Sequence, residues 1–174
     1  MTQTLKSGQA SLLLSSLFAL VLSIVFAASS NADAAGWQRY AIPDSGLGMD
    51  VPVDVFSSVS PASEGEGVTF ADASGEITLS VYSIANDDDL TLNDIRDLVR
   101  QGFEGRQVTY QRAKGDWFVL SGYENDGRTV FYTRLARSPD GRSFGAFELV
   151  YPTARRSEID SRIRRMSLSL KAAN

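Results

Sequence analysis

The 174-residue chain has no cysteine and no histidine. Those two absences exclude disulfides, thiol nucleophiles, serine–histidine triads and the common zinc sites, all of which take a ligand or a base from Cys or His. An excess of positive charge is also missing. The net charge is −4, which argues against nucleic acid as a partner, because a phosphate backbone is met by a basic face. Neither Gly-x-x-x-x-Gly-Lys nor a strand-turn-helix Gly-x-Gly-x-x-Gly occurs, so no phosphate-cradling loop is expected. The Asp-x-Asp-x-Asp-Gly spacing of a calcium loop is missing too. No metal and no cofactor is therefore expected. What is present is ordinary: 43% hydrophobic and 22% charged residues fit a folded domain rather than a disordered or collagen-like chain.

The first 34 residues read differently from the rest. Lys6 is the only charge before Asp33, and Leu12 to Ala28 is an unbroken run of apolar, Ala and Ser residues. Ser29-Ser30-Asn31-Ala32-Asp33-Ala34 then supplies small and polar residues. A positive start, an apolar core and an Ala-x-Ala end are the parts of a secretory signal. Cleavage is expected between Ala34 and Ala35. The alternative is an uncleaved anchor, since about 17 apolar residues is the lower limit for crossing a bilayer. Membrane contact is expected only through this segment, and only if it is retained. Residues 35–174 then form a single globular domain, large enough to fold without disulfides. Such a chain suits the bacterial periplasm or secretion.

Within that domain, strand signals come first. Trp37 to Ile42 and Leu47 to Val51 flank Pro43-Asp44-Ser45-Gly46, a turn sequence. Ser57 to Gly67 is rich in Ser, Gly, Pro and Glu and reads as an exposed loop. Val68 to Ala71 and Ile77 to Ile84 flank Asp72-Ala73-Ser74-Gly75-Glu76 and read as a hairpin. Alternation puts Ile77, Leu79, Val81 and Ser83 on one face of the second run. Thr91-Leu92-Asn93-Asp94 matches a capping box, with Thr91 as N-cap and Asp94 reaching back. Leu92, Ile95, Leu98, Val99 and Phe103 follow at helical spacing and predict one buried face, with Gly105 as terminator. Four strand runs succeed it: Gln107 to Arg112, Trp117 to Tyr123, Thr129 to Ala136 and Ser143 to Tyr151. Asp126-Gly127 marks one hairpin between them. Ser157 to Met166 predicts a last helix whose apolar stripe is Ile159, Ile163 and Met166. Two helices and some eight strands, mainly antiparallel, predict an α+β domain with helices packed on the faces of the sheet.

The block Trp117-Phe118-Val119-Leu120-Ser121-Gly122-Tyr123, followed by Val130-Phe131-Tyr132, carries a family resemblance. So do the Tyr151-Pro152 strand end and the amphipathic helix before Ser167-Leu168-Ser169-Leu170. Together they resemble a group of short exported bacterial proteins of unknown function with the PsbP-like fold. That resemblance implies an antiparallel sheet sandwiched by helices, shared with photosystem extrinsic subunits and a Ran-binding nuclear import factor. A turn expected in this group is matched only in part by Glu64-Gly65-Glu66-Gly67. Fold does not fix function, and no site residue is carried over.

The remaining polar residues offer limited chemistry. Glu64 with Glu66, and Asp87 to Asp89, are dense in carboxylate but read as solvated loop and helix-dipole charge. Carboxylate hydrolysis needs two acids facing one cleft; Glu148, between Phe147 and Leu149, is the strand-embedded candidate, with Asp50 and Asp116 near strand ends. An arginine partner across the sheet is the structural reading of Glu148. Ser121 follows an apolar strand, yet it lacks the elbow motif and a His base. Lys114 and Lys171 are the only lysines that could serve a dyad. Aromatic residues crowd the four-strand block and read as core on both faces, with a ligand pocket as the rival.

Charge is divided along the chain. Residues 35–104 carry 13 acidic and 3 basic residues, whereas 105–174 carry 7 acidic and 13 basic. The halves can neutralise each other on folding, or leave a basic side for an anionic partner. Arg155, Arg156, Arg162, Arg164 and Arg165, on the last helix, are the candidate binding residues. The expected function is a non-enzymatic interaction or accessory domain with an unidentified protein or anionic partner. The alternative is a small-ligand-binding protein or a carboxylate-dependent hydrolase. A cleft joining Glu148, an aromatic ring and an arginine would favour the alternative.

Overall fold

A computed structural model describes residues 36–63 and 66–173. The expected signal segment 1–34, the Ala34/Ala35 junction and Glu64-Gly65 lie outside the described residues. Strands β1 (Trp37–Ile42) and β2 (Leu47–Pro52) pair antiparallel, and β10 (Lys171–Ala172) adds to the other side of β2. A second, seven-stranded sheet holds β3 (Ser58–Pro61), β4 (Glu66–Ala71), β5 (Thr78–Ala85), β6 (Gln107–Lys114), β7 (Trp117–Tyr123), β8 (Thr129–Arg137) and β9 (Ser143–Pro152). Its order is β3-β4-β5-β9-β8-β7-β6, antiparallel throughout. The hairpin and the four-strand meander are where alternation and turn residues put them. β9 returns beside β5 and becomes the central strand.

Helix α1 (Leu92–Gln101) connects β5 to the far edge at β6. Its capping box is formed: the Asp94 amide donates to Thr91 Oγ1 at 3.3 Å and the Thr91 amide to Asp94 Oδ2 at 2.9 Å. Helix α2 (Arg156–Ser169) follows a single 3-10 turn, Thr153–Arg155, and is longer at both ends than the Ser157–Met166 pattern. The two helices serve opposite faces of the large sheet. On one face, Leu79, Val81, Phe147 and Leu149 pack with the small sheet and with Ile159 and Met166 of α2. On the other, Phe118, Leu120, Phe131 and Phe144 pack with Ile95 of α1. Ile77, Leu79, Val81 and Ser83 are all buried, as alternation requires. This is an α+β sandwich.

Three expectations are corrected. Ser57 to Gly67 is not all loop: β3 and the start of β4 lie in it, because β4 offers an open edge whose backbone groups β3 pairs. Leu98 is 49% exposed rather than buried, since α1 crosses the sheet with a gap beneath its later turns. The helix stops at Gln101 with Gly102 as C-cap, not at Gly105.

Candidate functional site

That gap is a groove of about 500 Å³ between α1 and the β3-β4-β5 side of the sheet. Ser80, Tyr82 and Ile84 of β5 and Glu148 of β9 form its floor; Leu98, Val99, Phe103 and Arg106 line the α1 side. The strand register puts polar residues in one row across the sheet: Ser60, Thr69, Ser80, Glu148 and Thr133. Thr69 and Ser80 share a 2.9 Å hydrogen bond. Thr133 Oγ1 donates to Glu148 Oε2 at 2.8 Å.

Arg106 closes the row. Its side chain donates to Glu148 Oε2 at 2.9 Å and to Oε1 at 3.1 Å. Its Nε donates to Glu124 Oε2 at 3.1 Å, and Glu124 Oε1 lies 2.8 Å from Nη2. The guanidinium also lies 4.7 Å from the Phe103 ring centroid and 4.9 Å from that of Phe131, within cation–π range. Burial works to lower its pKa, but the two carboxylates outweigh burial and raise it. Two glycines hold Arg106 there. Gly105 has φ +78 and sits against the Asn125 amide, which leaves no room for a side chain. At Gly122 a Cβ would strike the Gln107 carbonyl oxygen, where the register of β6 slips between Val108 and Tyr110.

The cleft therefore joins Glu148, the rings of Tyr82 and Phe103, and an arginine. The pairing of Glu148 with an arginine was legible in its strand position; the identity of Arg106 was not. They stand 42 residues apart, and only the insertion of β9 beside β5 and β8 brings them together. Glu124, in the β7–β8 turn, carried no signal of its own.

The other candidates are dispersed. Asp50 accepts from Arg165 Nε at 3.0 Å and lies 3.4 Å from Arg39. Ser121 donates to the Phe131 carbonyl. Lys114 and Lys171 are exposed on β6 and β10. Among the described residues no three carboxylates gather in a metal-sized cluster.

Three of the five arginines of 155–165 meet acids of the first half of the chain. Arg155 bridges Glu158 at 2.7 Å and Asp72 at 3.3 Å. Burial works to raise the pKa of Asp72, but the Ile77 amide, Ser74 and Arg155 hold it below the usual carboxylate range. Arg156 pairs with Asp160 at 3.3 Å and Arg162 with Asp54 at 2.7 Å. Arg165 holds Asp50 and lies 4.5 Å from the Trp37 ring. Arg164 is exposed and has no ion pair among the described residues. The structure thus spreads the five over the 3-10 turn and α2 and engages four of them internally.

No family model matches the chain, and no curated protein matches it. Among solved structures, the solution structure of cyanobacterial PsbP (CyanoP) from Synechocystis sp. PCC 6803 superposes with a TM-score of 0.60. The match covers 84% of this chain and 98% of that one, at 19% identity. The fold is PsbP-like. At that identity the likeness reaches the fold, not the chemistry of the groove. The ten-residue α1 packs over the β5, β9, β8 and β7 part of the sheet, and the groove opens on the β3-β4 side. No helix among the described residues is long and apolar enough to cross a membrane.

Proposed function

We infer that the protein is an exported, non-catalytic accessory domain that works by binding. The observation that carries this reading is the capture of Glu148. A carboxylate acting as acid or base exchanges a proton at an oxygen turned towards substrate. Here both oxygens of Glu148 accept from Arg106, and one also accepts from Thr133. Glu124, the second carboxylate, is held by the same guanidinium. Both carboxylates are therefore held and oriented by one guanidinium, as in a structural clamp. The expected partner is an anionic protein met by the basic second half, with exposed Arg164 on α2 among its contacts.

Glu148→Gln tests the non-catalytic part, because the amide keeps the size of the side chain and an acceptor for Arg106. In cells lacking the chain, this variant should restore whatever phenotype the wild type restores. Loss of the rescue by a folded, normally abundant variant would overturn this reading and put Glu148 to work in the groove, as a ligand contact or as a catalytic carboxylate, whose removal costs at least about a hundredfold in rate. Export is tested by N-terminal sequencing of the protein outside the cytoplasm, which should start at Ala35.

A second reading is a small-ligand-binding protein, favoured by the meeting of Glu148, Arg106, Tyr82 and Phe103 in one groove of suitable volume. It predicts that filling the groove by Ser80→Phe abolishes the rescue, while an accessory domain that binds through its basic side tolerates it.

A further inference from the structure

On the opposite face of the sheet, alternation and register bring a different set together. Arg112 of β6, Val119 of β7 and Arg134 of β8 are register neighbours in one row; Tyr110, Ser121 and Tyr132 form the next. Trp117 lies between the two arginines, its ring centroid 4.2 Å from the Arg134 guanidinium carbon and 5.9 Å from that of Arg112. None of the positions that β6, β7 and β8 present to this face is acidic.

Arg134 is the anomaly. It is only 7% exposed, and among the described residues it has no carboxylate partner. One terminal nitrogen donates to Ser167 Oγ of α2 at 2.8 Å, while its buried Nε has no partner. Burial pushes its pKa down, only partly offset by Tyr132. A guanidinium taken out of water without a counter-ion is costly, and Trp117 cannot replace an anion. Arg112 and Lys114 beside it are exposed and also without ion pairs among the described residues. The surroundings are those of a protein contact: Tyr110 is 49% exposed, and Trp, Tyr and Arg are the residues that dominate binding energy at interfaces.

We propose that the Arg112–Trp117–Arg134 face is the docking surface for an acidic segment of a partner protein, whose carboxylates pair with the two guanidinium groups. This rests on the reading of the protein as a binding domain, and names where and by what chemistry it binds. Charge complementarity selects the occupant, since Arg112 and Lys114 are exposed without ion pairs, Arg134 lies buried beside them without a carboxylate, and no acid is among them. Forked pairing suits carboxylates, and the flat, aromatic sheet surface suits an extended peptide more than a buried small anion.

The probe is an acetylated hexaglutamate peptide, with hexaglutamine and inorganic phosphate as comparisons. The chain has two tryptophans, so Trp37→Phe leaves Trp117 as the sole indole reporter. Hexaglutamate should change Trp117 emission saturably in the millimolar range, more weakly as salt rises, and hexaglutamine should not. Arg112→Gln, at an exposed position, should weaken binding by about tenfold, the effect of one charge-assisted hydrogen bond. Arg134→Gln should weaken it at least as much, and Arg112→Gln keeps the test decisive if the buried variant does not fold. An unchanged Trp117 signal, or undiminished binding by Arg112→Gln, overturns the proposal. So does inorganic phosphate binding as tightly as hexaglutamate, which would make the face a phosphate site. If hexaglutamate fails while Glu148→Gln still rescues, the docking surface is wrong and the binding-domain reading stands. If Glu148→Gln fails to rescue, that reading falls instead.

Discussion

Arg106 and Arg134 lie on opposite faces of the seven-stranded sheet, and the two are treated in opposite ways. Arg106, under α1, is gripped by Glu148 and Glu124 and has its pKa raised. Arg134, under α2, has a tryptophan, a serine and a tyrosine for company and has its pKa lowered. A guanidinium with both carboxylates in place has its counter-charge within the chain and acts as a structural bolt. One without any is a standing cost in the free protein. Such costs persist where function keeps them. The comparison separates an arginine whose counter-charge lies within the chain from one whose counter-charge, on the proposal above, comes from a partner.

The largest effect is expected beneath Arg134. Phe147 is fully buried and stacks on Tyr132, ring centroids 5.8 Å apart. Phe147→Ala should cost about 3–5 kcal/mol in urea unfolding. A much smaller loss would mean that the α2 face is not packed, and the cost assigned to burying Arg134 would disappear with it. Next comes Arg106→Met, which leaves two carboxylates facing each other with no cation. It should cost about 2–3 kcal/mol, since the site is partly open to water, and Glu124→Gln in the same chain should recover part of the loss. A neutral outcome would break the contrast from the Arg106 side.

Acid gives a third effect. Asp72 and Glu158 share Arg155 and both have folded pKa values below their ordinary ones, as do Asp94, Asp126 and Asp140. A depressed carboxylate contributes stability above its unfolded pKa and loses it as pH falls through its folded pKa. The melting temperature should therefore drop below about pH 4, and Arg155→Gln should flatten that drop. An acid slope identical in Arg155→Gln would show that these pairs on the α2 side add nothing. The smallest effect belongs to Leu98→Ala on the groove rim, expected within about 0.5 kcal/mol because the side chain is half exposed.

Much of this architecture is legible in the chain. Trp37–Ile42 and Trp117–Tyr123 are strands with the bounds that alternation and turns indicate, and the Thr91/Asp94 box starts α1. Local chemistry decides those features, so local reading finds them. Ser58–Pro61 and Lys171–Ala172 are strands only because an edge is there to pair with, which no local signal reports. The candidate sites were harder. Glu148 stood out as a charge within an apolar strand, but its partners Thr133 and Arg106 stand 15 and 42 residues away. The arginines of 155–165 stood out by density, yet density says nothing of the acids opposite: Asp50, Asp54 and Asp72 occupy Arg165, Arg162 and Arg155 through contacts that exist only after folding, and Asp160 of α2 itself holds Arg156. Arg134 did carry a signal, as the one charge among Val130, Tyr132 and Ala136 on its side of β8. What could not be read was that no acid would come to meet it.

The most direct measurement is one variant with two readings. Arg134→Met keeps the length of the apolar stem and removes the charge, while Tyr132 can still donate to Ser167 Oγ at 3.0 Å. The account predicts that its unfolding free energy stays within about 1 kcal/mol of wild type or exceeds it, while binding of hexaglutamate at Trp117 is lost. Destabilisation as large as that of Arg106→Met, with hexaglutamate bound as by wild type, would make Arg134 one more structural bolt and contradict the account.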